Sequence, residues 1–99
     1  MIDHITIEVS NLEKSRAFYE LAFEPLGYRL SFGKEGLFWA FDVDDGSLFE
    51  IQHTGSSLPL THLHVAFRVR KRAEVDAFYR AAIEAGAKDN GVPGPRQDY

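Results

Sequence analysis

Two histidines lie 60 residues apart, each at the head of the same short phrase. His4 opens His4-Ile5-Thr6-Ile7-Glu8-Val9, and His64 opens His64-Val65-Ala66-Phe67-Arg68-Val69. The same offset carries Ala17-Phe18-Tyr19 onto Ala77-Phe78-Tyr79, and Glu24 onto Glu84. Similarity at a fixed period speaks about architecture, and two copies point to paired modules facing each other. Histidines related in this way are candidates to converge on one site between the modules. Imidazole is a ready ligand for borderline metals through one ring nitrogen. The chain has no cysteine, so a metal would be held by His nitrogen and carboxylate oxygen, a donor set suited to a divalent Zn, Ni, Mn, Fe or Co ion. Glu50, between Phe49 and Ile51, is the carboxylate to set beside the histidines. In a strand it is either a solvated-face residue or a ligand.

Other side chains compete for roles. His4 shares the polar parity of its strand with Thr6 and Glu8, opposite Ile5, Ile7 and Val9. It is a ligand, or it merely begins an edge strand at the surface. His62 precedes His64 by one strand repeat and reads as surface, and His53 reads as a strand-end residue. Glu8 and Arg68 occupy matching places and read as a structural or solvated pair, the alternatives being an ion pair or contact with an anionic substrate. Trp39 and Phe41 share one parity and Phe38 and Ala40 the other. That strand is therefore apolar on both faces: one packs on a helix, and the second lines a cleft or a subunit contact. Trp39 and Phe41 are the candidates for binding an organic substrate with an apolar part. Phe18, Tyr19, Phe78 and Tyr79 read as helix aromatics of the core. The facing of Phe32 and Phe49 is not fixed by periodicity.

The elements that position these residues follow from pattern. Alternation predicts a strand over 2–9. Ser10 or Asn11 caps a helix whose apolar stripe is Ala17, Phe18, Leu21 and Ala22, ended by Pro25 and Gly27. Three short strands over 28–32, 36–41 and 48–53 are divided by glycine-containing turns. After a linker at 55–59, a strand running to Arg70 and a helix through Val75, Phe78, Tyr79, Ala82 and Ile83, stopped at Gly86, begin the pattern again. Gly91-Val92-Pro93-Gly94-Pro95 is poor strand material. A full second module would need about 25 to 30 further residues, the span from Gly27 to His53. The expectation is that the gene product continues beyond Tyr99.

The 99 residues make one domain. A formal charge of −4 argues against nucleic acid, which usually needs a basic footprint. The cluster Arg68, Arg70, Lys71 and Arg72 reads as a solvated face. No apolar run reaches the roughly 20 residues that span a bilayer, so the expectation is a cytoplasmic protein without a membrane partner.

His4-Ile5-Thr6-Ile7-Glu8-Val9-Ser10-Asn11-Leu12-Glu13-Lys14-Ser15, with Phe18-Tyr19 and Leu26-Gly27-Tyr28, followed by His64-Val65-Ala66-Phe67 with Val75, Phe78 and Ala85-Gly86, resembles the vicinal oxygen chelate superfamily of glyoxalases, bleomycin-resistance proteins and extradiol dioxygenases. The resemblance implies an α+β fold of paired βαβββ modules curled around a cleft, often in a homodimer. Here the first module is 1–54 and the second, incomplete in this chain, is 60–99. It implies metal ligands at His4 and His64, with Glu50 the match for the first-module carboxylate and a further carboxylate beyond Tyr99.

The leading expectation is a metal-dependent lyase or isomerase of the glyoxalase type, in which a metal chelates adjacent substrate oxygens while a carboxylate, Glu50 here, moves a proton. The scaffold equally supports extradiol-dioxygenase or thiol-transferase chemistry. The alternative is a bleomycin-resistance-like protein that binds an aromatic or cationic small molecule without metal, and a third is a structural dimer with a vestigial cleft.

Overall fold

The computed structural model describes residues 2–55 and 63–95. Its element order is β1 (His4–Val9), α1 (Leu12–Phe23), a 3₁₀ turn at Glu24–Leu26, β2 (Arg29–Lys34), β3 (Phe38–Asp42), β4 (Leu48–His53) and α2 (Arg72–Glu84). The four strands form one sheet in the order β1-β4-β3-β2. β1 runs parallel to β4, and the other two pairs are antiparallel. This is one βαβββ module.

Local chemistry sets the boundaries. The Asn11 side chain accepts the Lys14 N–H at 3.1 Å and caps α1. The helix tightens into the 3₁₀ turn at Pro25 and stops at Gly27, whose φ of 74° few other residues adopt cheaply. At the tip of the β3–β4 hairpin Asp44, Asp45 and Gly46 all have positive φ. The Asp44 carboxylate accepts the Asp45 N–H at 3.1 Å, and Val43 and Ser47 close the turn by backbone bonding. Asp tolerates the left-handed region better than most residues, because its short side chain bonds locally.

The core lies between the sheet and the helices and is chiefly aromatic. Phe23, at the last turn of α1, is fully buried. Its ring meets Tyr19, Tyr28, Phe41, Phe49, Phe67 and Phe78 at centroid distances of 5.2 to 6.2 Å, within the range for edge and offset aromatic contacts. The stripe of α1 is therefore Leu12, Tyr19, Ala22 and Phe23. The sequence pattern had put Ala17 and Leu21 in it, yet Ala17 is exposed and Leu21 is 55% exposed. The core enters α1 obliquely and rides on its two ends.

Trp39 and Phe41 also face the helices. Phe41 is fully buried in the core, and Trp39 packs against it from partial burial. Arg16 of α1 lies over the Trp39 ring at 4.2 Å from its centroid, and the indole N–H points to Glu13 at 3.4 Å. The doubly apolar strand thus turns its Trp39 and Phe41 side to α1, and Phe38 and Ala40 look the other way. Gly33 makes the Trp39 position available: a Cβ there would collide with the Phe38 carbonyl oxygen and the Trp39 ring.

The expected strand through 64–70 keeps its alternation, with Val65, Phe67 and Val69 half-buried and His64, Ala66, Arg68 and Arg70 exposed. It joins no ladder among the described residues. Its apolar side still contributes, and Val65 and Phe67 pack on the core. His62, most of the linker and the last four residues fall outside the described part. No helix among the described residues is long and apolar enough to cross a membrane.

Two substitutions test this packing. Phe23→Ala should cost about 3–5 kcal/mol, the usual loss for a buried aromatic, read by urea denaturation, and Phe23→Leu should recover most of it. Gly33→Ala should cost about 1–3 kcal/mol through overpacking and shift the emission of Trp39, the single tryptophan. Unchanged emission would mean that the Trp39 ring does not rest on Gly33.

Candidate functional site

The strand register sorts the face turned away from the helices into three rows. His4, Leu48, Asp42 and Arg29 form one end, Thr6, Glu50, Ala40 and Phe32 the middle, and Glu8, Gln52, Phe38 and Lys34 the other end. Both helices contact the opposite side, where Tyr19 and Phe23 meet Phe41 and Phe49 and Phe78 meets Phe23. Phe32 reaches the open face through an irregularity. The register advances two residues on β2, from Leu30 to Phe32, while β3 advances one, from Phe41 to Ala40. The extra residue, Ser31, is a β-bulge that turns Phe32 to the other side. Phe32 remains 49% exposed and meets Phe38 edge to face at 5.9 Å.

Two polar side chains on this face are held in place. Thr6 Oγ1 donates to Glu50 Oε1 at 3.0 Å across the parallel β1–β4 pair. This leaves Oε2 of Glu50 for other partners. His4 Nδ1 lies 2.8 Å from Asp3 Oδ2. With Nδ1–H donating to the carboxylate, the neutral ring presents the Nε2 lone pair, the orientation a carboxylate partner imposes on a metal-binding or proton-accepting imidazole. The His4 pKa is raised above the ordinary imidazole value, first by the Asp3 hydrogen bond and then by the negative charge of Glu50. The ring is exposed, so the effect is a bias in protonation and contributes little to stability.

His4 and Glu50 thus share one face, as their parity required. His64 lies on the 63–70 segment, which joins no strand ladder among the described residues. Among the described residues no group of three His, Asp or Glu side chains gathers at metal-holding distance, so His4, Glu50 and His64 do not form a ligand cluster. Trp39 and Phe41, expected to line a substrate cleft, are on the core side, and Phe32 and Phe38 lie on the open face. The reason is that both parities of β3 are apolar, so pattern alone could not say which side meets α1. Arg68 makes no ion pair with Glu8; it lines a cavity of about 650 Å³ at one end of the sheet, with Leu26, Tyr28, Asp42, Asp44 and Glu74 also in the wall. Sequence reasoning missed Asp3 and Thr6 as the partners of His4 and Glu50. Thr6 carried a usable signal, since it shares the parity of His4.

Comparison with known proteins follows the same lines. The Glyoxalase/Bleomycin resistance protein/Dioxygenase superfamily matches residues 1–98. A glyoxalase/bleomycin resistance protein from Albidiferax ferrireducens T118 is similar in structure, with a TM-score of 0.77 and 26% identity over 97% of this chain and 82% of its own. A possible glyoxalase from Bacillus cereus shares the fold at a TM-score of 0.65 and 21% identity, covering 87% of this chain and 74% of its own. So does an integron cassette protein from the mobile metagenome of the Halifax Harbour sewage outfall, at 0.61 and 23%, covering 87% and 71%. No curated protein matches the chain. The βαβββ module, its two oriented donors on the open face and the match across 1–98 place this chain in the glyoxalase/bleomycin resistance protein/dioxygenase superfamily.

Proposed function

We propose that the chain is a small-molecule-binding protein of the bleomycin-resistance kind, which holds an aromatic, cationic ligand on the open face of its sheet. The observation that carries this reading is on two adjacent rows of that face: Phe32 of the middle row and Phe38 of the end row meet edge to face, with the carboxylates of Glu50 and Glu8 in the same two rows. An apolar aromatic shelf beside fixed negative charge suits a flat ring carrying a positive group. The likeness to a glyoxalase/bleomycin resistance protein at 26% identity supports the same class.

A metal-dependent lyase or isomerase is the second reading, favoured by the orientation of His4 Nε2 and of Glu50. A catalytic zinc-type site takes three protein ligands and an open position. The described residues assemble two donors on this face, so the set does not fit a held metal. His64 would be the third donor, in a complete second module or in a homodimer. Both arrangements are proposals, and sedimentation at micromolar concentration tests the dimer.

Titration with proflavine, a planar aromatic cation, followed by its fluorescence, distinguishes the readings. Phe38→Ala and Glu50→Gln should each weaken binding about five- to tenfold, in line with about 1–1.4 kcal/mol for one aromatic or charged contact. Binding that neither substitution changes would remove the ligand from this face. Zinc binding at one equivalent by calorimetry, lost in His4→Ala, would move the assignment to the metalloenzyme.

Protonation supplies a further check. His4 is cationic below its raised pKa, and a cation beside Glu50 opposes a cationic ligand. Affinity should therefore fall as pH drops through the His4 midpoint. Asp3→Asn should lower that midpoint, followed by NMR of the imidazole protons, by more than Glu50→Gln does, because the Asp3 hydrogen bond is the larger cause.

A further inference from the structure

At the end of the sheet where the β3–β4 hairpin turns lies a cavity on which the open-face reading does not draw. Its volume is about 650 Å³, and its wall combines Tyr28 and Leu26, the carboxylates Asp42, Asp44, Asp45 and Glu74, and the guanidinium groups Arg68 and Arg70. Pockets of roughly 300–1,000 Å³ take small organic ligands.

The charges in this wall are not spent on one another. Among the described residues the ion pairs join His4 to Asp3 and Arg16 to Glu13 and Glu20, and none joins these carboxylates to Arg68 or Arg70. Glu74 is partly committed, since its carboxylate accepts the N–H groups of Arg70 and Lys71 at the start of α2. Asp42 and Asp45 have no such partner, and Asp44 accepts only the next backbone N–H. Opposite charges around one cavity, left without direct contact, leave room for a molecule that carries both signs.

Tyr28 points to a ligand independently. It is 9% exposed, its ring packed on Phe23 and Phe67. Its hydroxyl bonds to no described group, yet it is not sealed in, for no side-chain oxygen or nitrogen is both buried and unpartnered. Because the rest of the residue is enclosed by core, the hydroxyl opens to the cavity that Tyr28 lines. Burial and the nearby negative charges of Asp44 and Glu74 raise its pKa, so at neutral pH it is a protonated donor. A phenol that is held by the core at its ring and opens its hydroxyl to the cavity without a described partner is placed to donate to a polar group of a ligand.

We propose that this cavity binds a zwitterion the size of a dipeptide, its ammonium group toward Asp42, Asp44 and Asp45, its carboxylate toward Arg68 and Arg70, and the Tyr28 hydroxyl donating between them. Arginine matches a carboxylate with a planar pair of N–H donors, and the hairpin tip supplies the acids from a turn whose backbone already holds them. Of its wall only Asp42 belongs to the rows of the open face, at the end away from Phe38, and the proposal does not depend on the ligand proposed there.

The test uses the dipeptide Gly-Leu on the full chain, with binding followed by NMR chemical shifts and calorimetry. N-acetyl-Gly-Leu and Gly-Leu amide should each bind at least tenfold more weakly, one having lost the ammonium and the other the carboxylate. Asp44→Asn with Asp45→Asn, substitutions that keep a residue type tolerant of the left-handed backbone, should abolish the preference for the free amine. Arg68→Gln with Arg70→Gln should abolish the preference for the free acid. Tyr28→Phe keeps the ring in the core and should weaken Gly-Leu about tenfold without lowering the melting temperature. Failure of Gly-Leu to bind at millimolar concentration overturns the proposal. So does equal binding of either blocked peptide, which would mean a site for one charge only, and so does loss of Gly-Leu binding in Phe38→Ala, which would place the peptide on the open face.

Discussion

Everything described depends on the ring of Phe23 being buried among six others. It touches the first helix, the sheet, the 63–70 segment and the second helix at once. A sheet of four strands with a single layer of helices has little other apolar volume, and the buried set contains no charged or polar residue. Phe67 meets Phe49 of the sheet as well as Phe23, and Phe78 meets Phe23 and Phe67, so this aromatic cluster sets where the 63–70 segment and the second helix sit. The cavity beside Tyr28 follows too, since Phe23 and Phe67 hold the Tyr28 ring on its inner side.

A second constraint shapes the open face. The bulge at Ser31 and the missing side chain at Gly33 act together on β2. The first turns Phe32 outward, and the second makes space for Trp39 to lie inward beneath Arg16 and Glu13. Without the bulge, Phe32 would join Leu30 on the core side and the open face would lose one ring of its aromatic pair. One extra residue thus exchanges packing for an exposed aromatic pair.

Much of this was legible in the sequence because it depends on period two. The facing of His4, Thr6, Glu8 and Glu50 follows from alternation, and the 48–53 strand coincides with β4. The helix ends were marked by Asn11, Pro25 and the glycines. What remained hidden is non-local. A bulge cannot be seen without the partner strand, so the facing of Phe32 was open. A strand with two apolar parities does not say which one meets a helix, so Trp39 and Phe41 were assigned to the wrong side. Phe23, next to the helix terminator, broke the periodic stripe that pointed to Ala17 and Leu21. The 64–70 segment shows the same limit, since it has the pattern of a strand and no ladder to join.

Membership in a superfamily with several chemistries leaves the function to the donors that a given chain brings together. Here each of the two oriented donors has one atom already engaged: His4 Nδ1 with Asp3 and Glu50 Oε1 with Thr6. The remaining atoms, Nε2 and Oε2, are prepared for a partner but differ in what they would accept. A metal satisfies both at once only if a third donor joins them, whereas a cationic ligand is attracted by Glu50 alone and meets His4 as a neutral neighbour above its pKa. The same pair of hydrogen bonds would thus suit the proposed binding site as it stands, and would suit a metal site only after His64, or a residue in its place, is brought to the face. The strand that would carry His64 there has its apolar side packed on the aromatic core, so recruitment of the histidine is coupled to the packing around Phe23.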